Sequence, residues 1–494
     1  MVKEVSGGIM HKLIALLIST GLLVGCTSTS EFGEVSSAIQ DSQEMQVEGN
    51  TNNTQSLVEA EASDSEEVQS TEPNEPAEEE QVEQVEPTPA PISYELSPEL
   101  VDDEICKLRE TSSYRSTSKN ALASSFPAAS GMTVPRTGTI NVKVVFIEWD
   151  DLRGTQDDYD YNLWSAKTFS DFYRVMSEGK LNLRVVAEPD WLSVGGSWEE
   201  DVIPAGMEGG NWQSREFLRP FIDRITEAID PQVDFTDVDV ILFGTPSAEI
   251  VVDSLHIFGA TEVPAYTDEG TIHEMFSLGR RIYEHKDSQP GWAQYAHEFG
   301  HSLGIPDLRN WTKGQDDVPM YFVSPMFGHE IMDNQNSGSR SISGWIKWVQ
   351  GWLNDSQVTC IDAATVDSEY YKLNAANIVG AESELLTIKV SETKLVAIES
   401  TRWDSKFDLR TNQKTDGLIV YTVDSTVGHQ EGPLKLLSPR DISEYLSDEH
   451  IWPDWRVLDV ILFEGDELEI DGIRITNVQS EESADTVLIE ATDL

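Results

Sequence analysis

At 494 residues the chain is long enough for two or three domains, and an apolar share of 39% allows a sizeable core. Acidic residues outnumber basic ones 88 to 34, giving a formal net charge of −54. That balance excludes nucleic acid as a partner, because phosphate backbones are held by clustered Lys and Arg; it suits a solvated surface, bound cations or a salty medium.

The first 25 residues predict a signal peptide, with Lys3 and Lys12 ahead of the apolar run Leu13-Ile14-Ala15-Leu16-Leu17-Ile18, which is too short to span a bilayer. Met10 is a second candidate start, since Lys12 would still supply the positive end. Leu23-Val24-Gly25-Cys26 is similar to the bacterial lipobox, in which the chain is cut before the cysteine and that cysteine is acylated. On this reading Cys26 carries a lipid, and the mature protein stands outside the cytoplasm in the bacterial cell envelope, touching the membrane through its anchor alone or released from it. An ordinary cleaved signal peptide is the alternative. Residues 26–99 are rich in Glu, Ser, Thr, Gln and Pro, and no Lys or Arg occurs between Lys12 and Lys107. Such a segment buries too little apolar surface to offset its ordering entropy, so it reads as a disordered acidic linker or an interaction tail.

Ordered structure is expected from about residue 100. Residues 140–149 are apolar on much of both faces, as in a buried strand. Phe169, Phe172, Tyr173 and Met176 then recur at helical spacing, and Ser177-Glu178-Gly179-Lys180 closes that helix before the alternating strand at 181–185. A second helix is expected over about 212–229, with Phe217, Phe221, Ile225 and Ala228 on its apolar stripe and Pro220 as a possible kink. Residues 238–243 read as another buried strand, so strands alternate with helices as in an α/β layer. Beyond Trp352-Leu353 come short β-rich runs at 395–399, 417–423 and 486–490, with Asp416-Gly417 and Asp471-Gly472 as turn signals. The pattern predicts a mixed α and β domain over 100–356 and an all-β, sandwich-like domain over 357–494. Cys106 and Cys360 fall one in each, and read either as a disulfide of an exported protein or as two separate thiols.

Within residues 292–307 lies His297-Glu298-Phe299-Gly300-His301. On a helix, Trp292, Tyr295, Ala296, Phe299 and Leu303 share one face while His297 and His301 share the opposite one, a turn apart, as two imidazoles must to grip one ion. Glu298 projects on the flank of that pair. Gly304 is suited to stop the helix, and Pro306 keeps Ile305 extended, so the chain can turn Asp307 back toward the histidines. Two histidines and a carboxylate leave a fourth position open, as in catalytic rather than structural zinc sites. Glu298 would then act as general base on water and return the proton to a leaving amine. Glu330 is a second candidate for the third ligand, Tyr321 and His329 are candidates for stabilising an oxyanion, and Asp316, Asp317 and Asp333 read as solvated acids, with a calcium role as the alternative.

The run His-Glu-x-x-His-x-x-Gly-x-x-Asp resembles the zinc signature of the immune inhibitor A family of bacterial metallopeptidases, which is related to the metzincins. Glu330-Ile331-Met332-Asp333 is similar to the family's methionine turn, and residues 343–353 are similar to its tryptophan-rich ending of the catalytic domain. Residues 144–151 and 172–181 resemble its opening strand and its aromatic, serine, glycine, lysine segment. After Asp307 the chain departs from the family, reading Leu308-Arg309-Asn310-Trp311. The resemblance implies a zincin-like catalytic domain, zinc on His297, His301 and Asp307 with Met332 beneath, further calcium, and protein or peptide substrates. The expectation is a lipid-anchored zinc metalloendopeptidase acting on extracellular proteins; the alternative is a non-catalytic adhesin or binding protein on the same fold.

Overall fold

Alternation along Gly138–Glu148 (β1) sends Val142, Val144 and Phe146 to one face and Val145 and Ile147 to the other, and all five are buried. A strand that is apolar on both sides needs cover on both. The computed structural model of the chain describes residues 94, 96, 103–112, 122–198, 215–247, 263–277, 290–310, 324–334, 340–402, 406–408, 416–442 and 457–492. Within them β1 is central to a sheet of order β2-β1-β3-β6, completed by Leu181–Ser193 (β2), Val240–Gly244 (β3) and Glu274–Phe276 (β6), with every neighbouring pair parallel. Ala265–Tyr266 (β4) and Thr271–Ile272 (β5) form a small hairpin ahead of β6.

Gln156–Met176 (α1) and Gly291–Ser302 (α3) share a core with Val142, Val144 and Phe146, whereas Arg215–Ile229 (α2) packs Phe221, Ile222, Ile225 and Ile229 with Val145, Ile147 and Phe243. Helix α1 starts in a capping box, where Asp158 N–H donates to Thr155 Oγ1 at 3.2 Å and Thr155 N–H donates to Asp158 Oδ2 at 3.0 Å. It buries the expected Phe169, Phe172, Tyr173 and Met176. Glu178 and Gly179 then adopt left-handed φ of 56° and 72° and turn the chain into β2. Helix α2 carries Pro220 inside it; residues 212–214 and the side chain of Phe217 lie outside the described residues. Strand β3 starts two residues later than its apolar pattern, because Asp237 adopts a left-handed φ of 59° just before it.

The C-terminal part is mostly β. Val358–Asp362 (β7), Leu385–Lys389 (β9), Lys394–Thr401 (β10), Gly417–Asp424 (β11) and Leu434–Leu437 (β12) form a sheet of order β12-β11-β10-β9-β7, with Ile461–Leu462 (β13) paired to β11. Glu369–Asn374 (β8), Glu467–Ile470 (β14), Ile473–Ser480 (β15) and Ala484–Ala491 (β16) form a second sheet of order β14-β15-β16-β8. Leu386, Ile388, Val396, Ile398 and Val420 of the first meet Leu373, Ile475, Val487 and Ile489 of the second in one core, as in a β-sandwich. Asp471 and Gly472, at φ 50° and 81°, make the two-residue turn between β14 and β15. Gly417, by contrast, is the first residue of β11, where a Cβ would lie 2.6 Å from the Leu462 carbonyl oxygen; it serves close approach rather than a turn.

The opposite face of the large β sheet does not end in solvent. Leu385, Leu395, Ala397, Tyr421, Leu434 and Leu436 belong to the same core as Phe172, Phe299, Trp345 and Trp352. Gly344–Val349 (α4) lies at this join: Trp345 Nε1 donates to the Ser124 carbonyl at 2.7 Å, and Trp345 N–H donates to the Tyr421 hydroxyl at 3.1 Å. Cys106 and Cys360 form a disulfide across it, with Cα atoms 6.0 Å apart. Tyr94 packs against Tyr370 with tilted rings whose centroids are 4.8 Å apart, so chain ahead of residue 100 already touches the β-rich part. Among the described residues no helix is long and apolar enough to cross a membrane.

Candidate metal centre

Helix α3 is anchored at both ends of its histidine face. Tyr173 of α1 donates its hydroxyl to the Ala296 carbonyl at 2.6 Å, and Ser302 donates to Glu274 Oε2 of β6 at 2.6 Å, which ties the last turn to the sheet edge. Thr133 also donates to Glu274, a buried carboxylate that nothing in its sequence surroundings marks. Gly300, between the two histidines, is where the helix meets Met332: a Cβ there would sit 2.5 Å from the Met332 Sδ. Glycine at this position is required by that contact rather than by the backbone, and Met332 is itself fully buried against the helix.

The helix ends where Gly304 takes φ 89°. Ile305 N–H donates to the Gly300 carbonyl and Gly304 N–H to the His301 carbonyl, both at 2.9 Å, which is the paired bonding of a Schellman end. The chain then reverses and carries Asp307 beside the histidines. Asp307 Oδ1 lies 3.2 Å from His297 Nε2 and 3.6 Å from His301 Nε2. These three side chains are the one group among the described residues whose donor atoms converge as a metal site requires, and the group could hold a metal ion.

The tautomers follow from the neighbours. His297 Nδ1 is 2.8 Å from the Ile331 carbonyl and His301 Nδ1 is 2.9 Å from the Ile305 carbonyl. A carbonyl oxygen can only accept, so both Nδ1 atoms carry hydrogen, and a ring without a second proton presents its Nε2 lone pair toward Asp307. Three electron-rich atoms meeting at one place need a cation between them, either protons on the imidazoles or a metal ion. Burial alone would raise the Asp307 carboxyl, but when the imidazoles carry the second proton on Nε2, the charge on His301 and the hydrogen bonds from both rings hold it well below the usual carboxylate range.

Glu298 is 9% exposed, and among the described residues its carboxylate accepts no hydrogen bond. Burial raises its pKa, opposed by His297 and His301 and reinforced by Asp307, which marks it as a neighbour of all three. Asp307, rather than Glu330, is the carboxylate of the group. Glu330 is buried and accepts the Met332 N–H on Oε2 at 2.6 Å, and burial pushes it up to about 8. Asp333 is not a solvated acid: it accepts from Ser324 Oγ and, at 3.0 Å, from Gly328 N–H, and burial raises it to about 6. His329 is buried in the same turn and stands outside the converging group. Leu308 N–H donates to the Met332 carbonyl at 3.1 Å, and Arg309 donates to the Asp333 carbonyl, so the residues after Asp307 are locked to this turn. Tyr321, Asp316, Asp317 and Cys26 lie outside the described residues.

Two contributors carry no sequence signal. His429 and Gln430, in the loop between β11 and β12, reach Asp307: His429 Nδ1 accepts the Asp307 N–H at 3.1 Å and Gln430 Nε2 donates to Asp307 Oδ2 at 3.1 Å. Burial lowers His429 to about 4, with Asp307 opposing and the two other histidines adding to the fall. No protein-family model matches the chain, and no curated protein matches it.

Proposed function

We propose that the protein is a zinc-dependent endopeptidase. The observation that carries the reading is the approach of two imidazole Nε2 atoms to one carboxylate oxygen at 3.2 and 3.6 Å, with both Nδ1 atoms already committed to carbonyls. A tetrahedral zinc with ligands at about 2.0–2.2 Å sets its donor atoms about 3.4 Å apart, so the spacing fits that ion. The donor set agrees, since imidazole suits zinc whereas calcium and magnesium favour oxygen alone. Three protein ligands are the number found in catalytic rather than structural sites.

Bound there, zinc would supply a Lewis acid that lowers the pKa of water and polarises a carbonyl. The rest is done by this chain. His297, His301 and Asp307 hold the ion, and the Ile331 and Ile305 carbonyls aim the rings. Glu298, buried beside the ligands and without a hydrogen-bond partner among the described residues, takes the proton from water and hands it to the leaving amine. The packing of α3 on a parallel sheet, with Met332 against Gly300, supports the zincin-like reading of the first domain. The signal-like start and Cys26 support export and a lipid anchor, and hence extracellular proteins as substrates.

Casein degradation by the purified full chain tests this. Activity is expected to disappear with a chelator and to return with zinc. Glu298→Gln is expected to lower it by about 10²–10⁴ with zinc still bound. A chain that binds zinc and shows no Glu298-dependent hydrolysis would instead favour a non-catalytic binding protein.

A further inference from the structure

Asp307 is gripped at three points by a loop 122 and 123 positions further along the chain. Its N–H donates to His429 Nδ1 at 3.1 Å, its carbonyl accepts the Gln430 N–H at 3.0 Å, and its Oδ2 accepts from Gln430 Nε2 at 3.1 Å. The loop is itself fixed. Thr426 N–H and Oγ1 donate to Asp424 Oδ1 at 3.0 and 2.6 Å, Gly428 N–H donates to Glu431 Oε2 at 2.8 Å, and Glu431 bridges to Asn310.

Gln430 adopts φ 61°, a conformation that costs any residue with a side chain and costs glycine nothing. Such strain persists where the surroundings over-determine it, and what glutamine brings that glycine lacks is the amide on Oδ2. The consequence lies in the ligand set. With Oδ2 engaged, Oδ1 alone faces the two imidazoles, whereas a free carboxylate could turn both oxygens onto one ion.

We propose that His429 and Gln430 are positioning residues, through which the β-rich part sets the metal affinity of the centre and restricts Asp307 to one coordinating oxygen. This rests on the reading that His297, His301 and Asp307 bind zinc.

The test is zinc affinity of the full chain by chelator competition, alongside the melting temperature of the metal-free protein. Gln430→Gly removes the amide and relieves the backbone, so zinc binding is expected to weaken by about 10–100-fold while the melting temperature stays equal or rises. Gln430→Glu keeps the length, sets a second anion against Oδ2, and is expected to weaken binding at least as much. A purely structural Gln430 gives the reverse pattern, with unchanged affinity and lower melting, and overturns the assignment. Wild-type chain that binds zinc no more tightly than either variant overturns it while leaving the metal centre standing. Wild-type chain that binds no zinc overturns the metal reading and this assignment together.

Discussion

The α/β layer and the β-rich part serve the same centre by opposite routes. In the layer, His297, Glu298, His301 and Asp307 occupy eleven consecutive positions, and a helix, a Schellman end and a reversal bring them together. The β-rich part supplies His429 and Gln430 from one loop, positioned only because β11 and β12 pack on the core that also holds α3. A group able to hold a metal can thus be set by local rules, while the partners that orient it depend on the whole fold.

The largest effect on stability is expected where the two parts are joined. The Cys106–Cys360 disulfide closes a loop of 254 positions, and loss of such a cross-link removes about 2–4 kcal/mol. Reduction, or Cys106→Ser with Cys360→Ser, should lower the melting temperature by several degrees; an unchanged melt would mean that the shared core alone unites the parts. A smaller effect is expected inside the layer. Gly300→Ala drives a methyl into Met332 Sδ and should cost about 1–3 kcal/mol by overpacking. Adding Met332→Ala should recover part of that loss, and strictly additive costs would break the claim that the two side chains meet.

A third effect concerns pH. Burial raises Glu330 from about 4.5 to about 8, so the folded chain keeps a proton that the unfolded chain releases. Its contribution is fully present below about 4.5 and is lost as pH rises toward 8. Melting temperature followed from pH 5 to 8 should therefore fall less steeply in Glu330→Gln than in wild type.

How much was legible follows the same division. The spacing of Phe169, Phe172, Tyr173 and Met176 fixes the buried side of α1, and Gly304 foretells where the helix carrying the histidine pair ends. Asp471-Gly472 makes the predicted turn, whereas Asp416-Gly417 matches the same pattern and enters a strand, because the backbone of β13 presses on Gly417. Asp333 looks like any surface acid in sequence, and its burial is decided by Ser324 and the Gly328 amide folding over it. Nothing near His429 or Gln430 marks them, since their role exists only once residues far apart in sequence are adjacent.

X-ray absorption at the zinc edge, on the full chain loaded with one equivalent of zinc, tests the central claim most directly. The account predicts a shell of nitrogen and oxygen at about 2.0–2.1 Å with the scattering of two imidazoles and no sulfur. A shell lacking imidazole, or zinc that remains hydrated in solution, would contradict it.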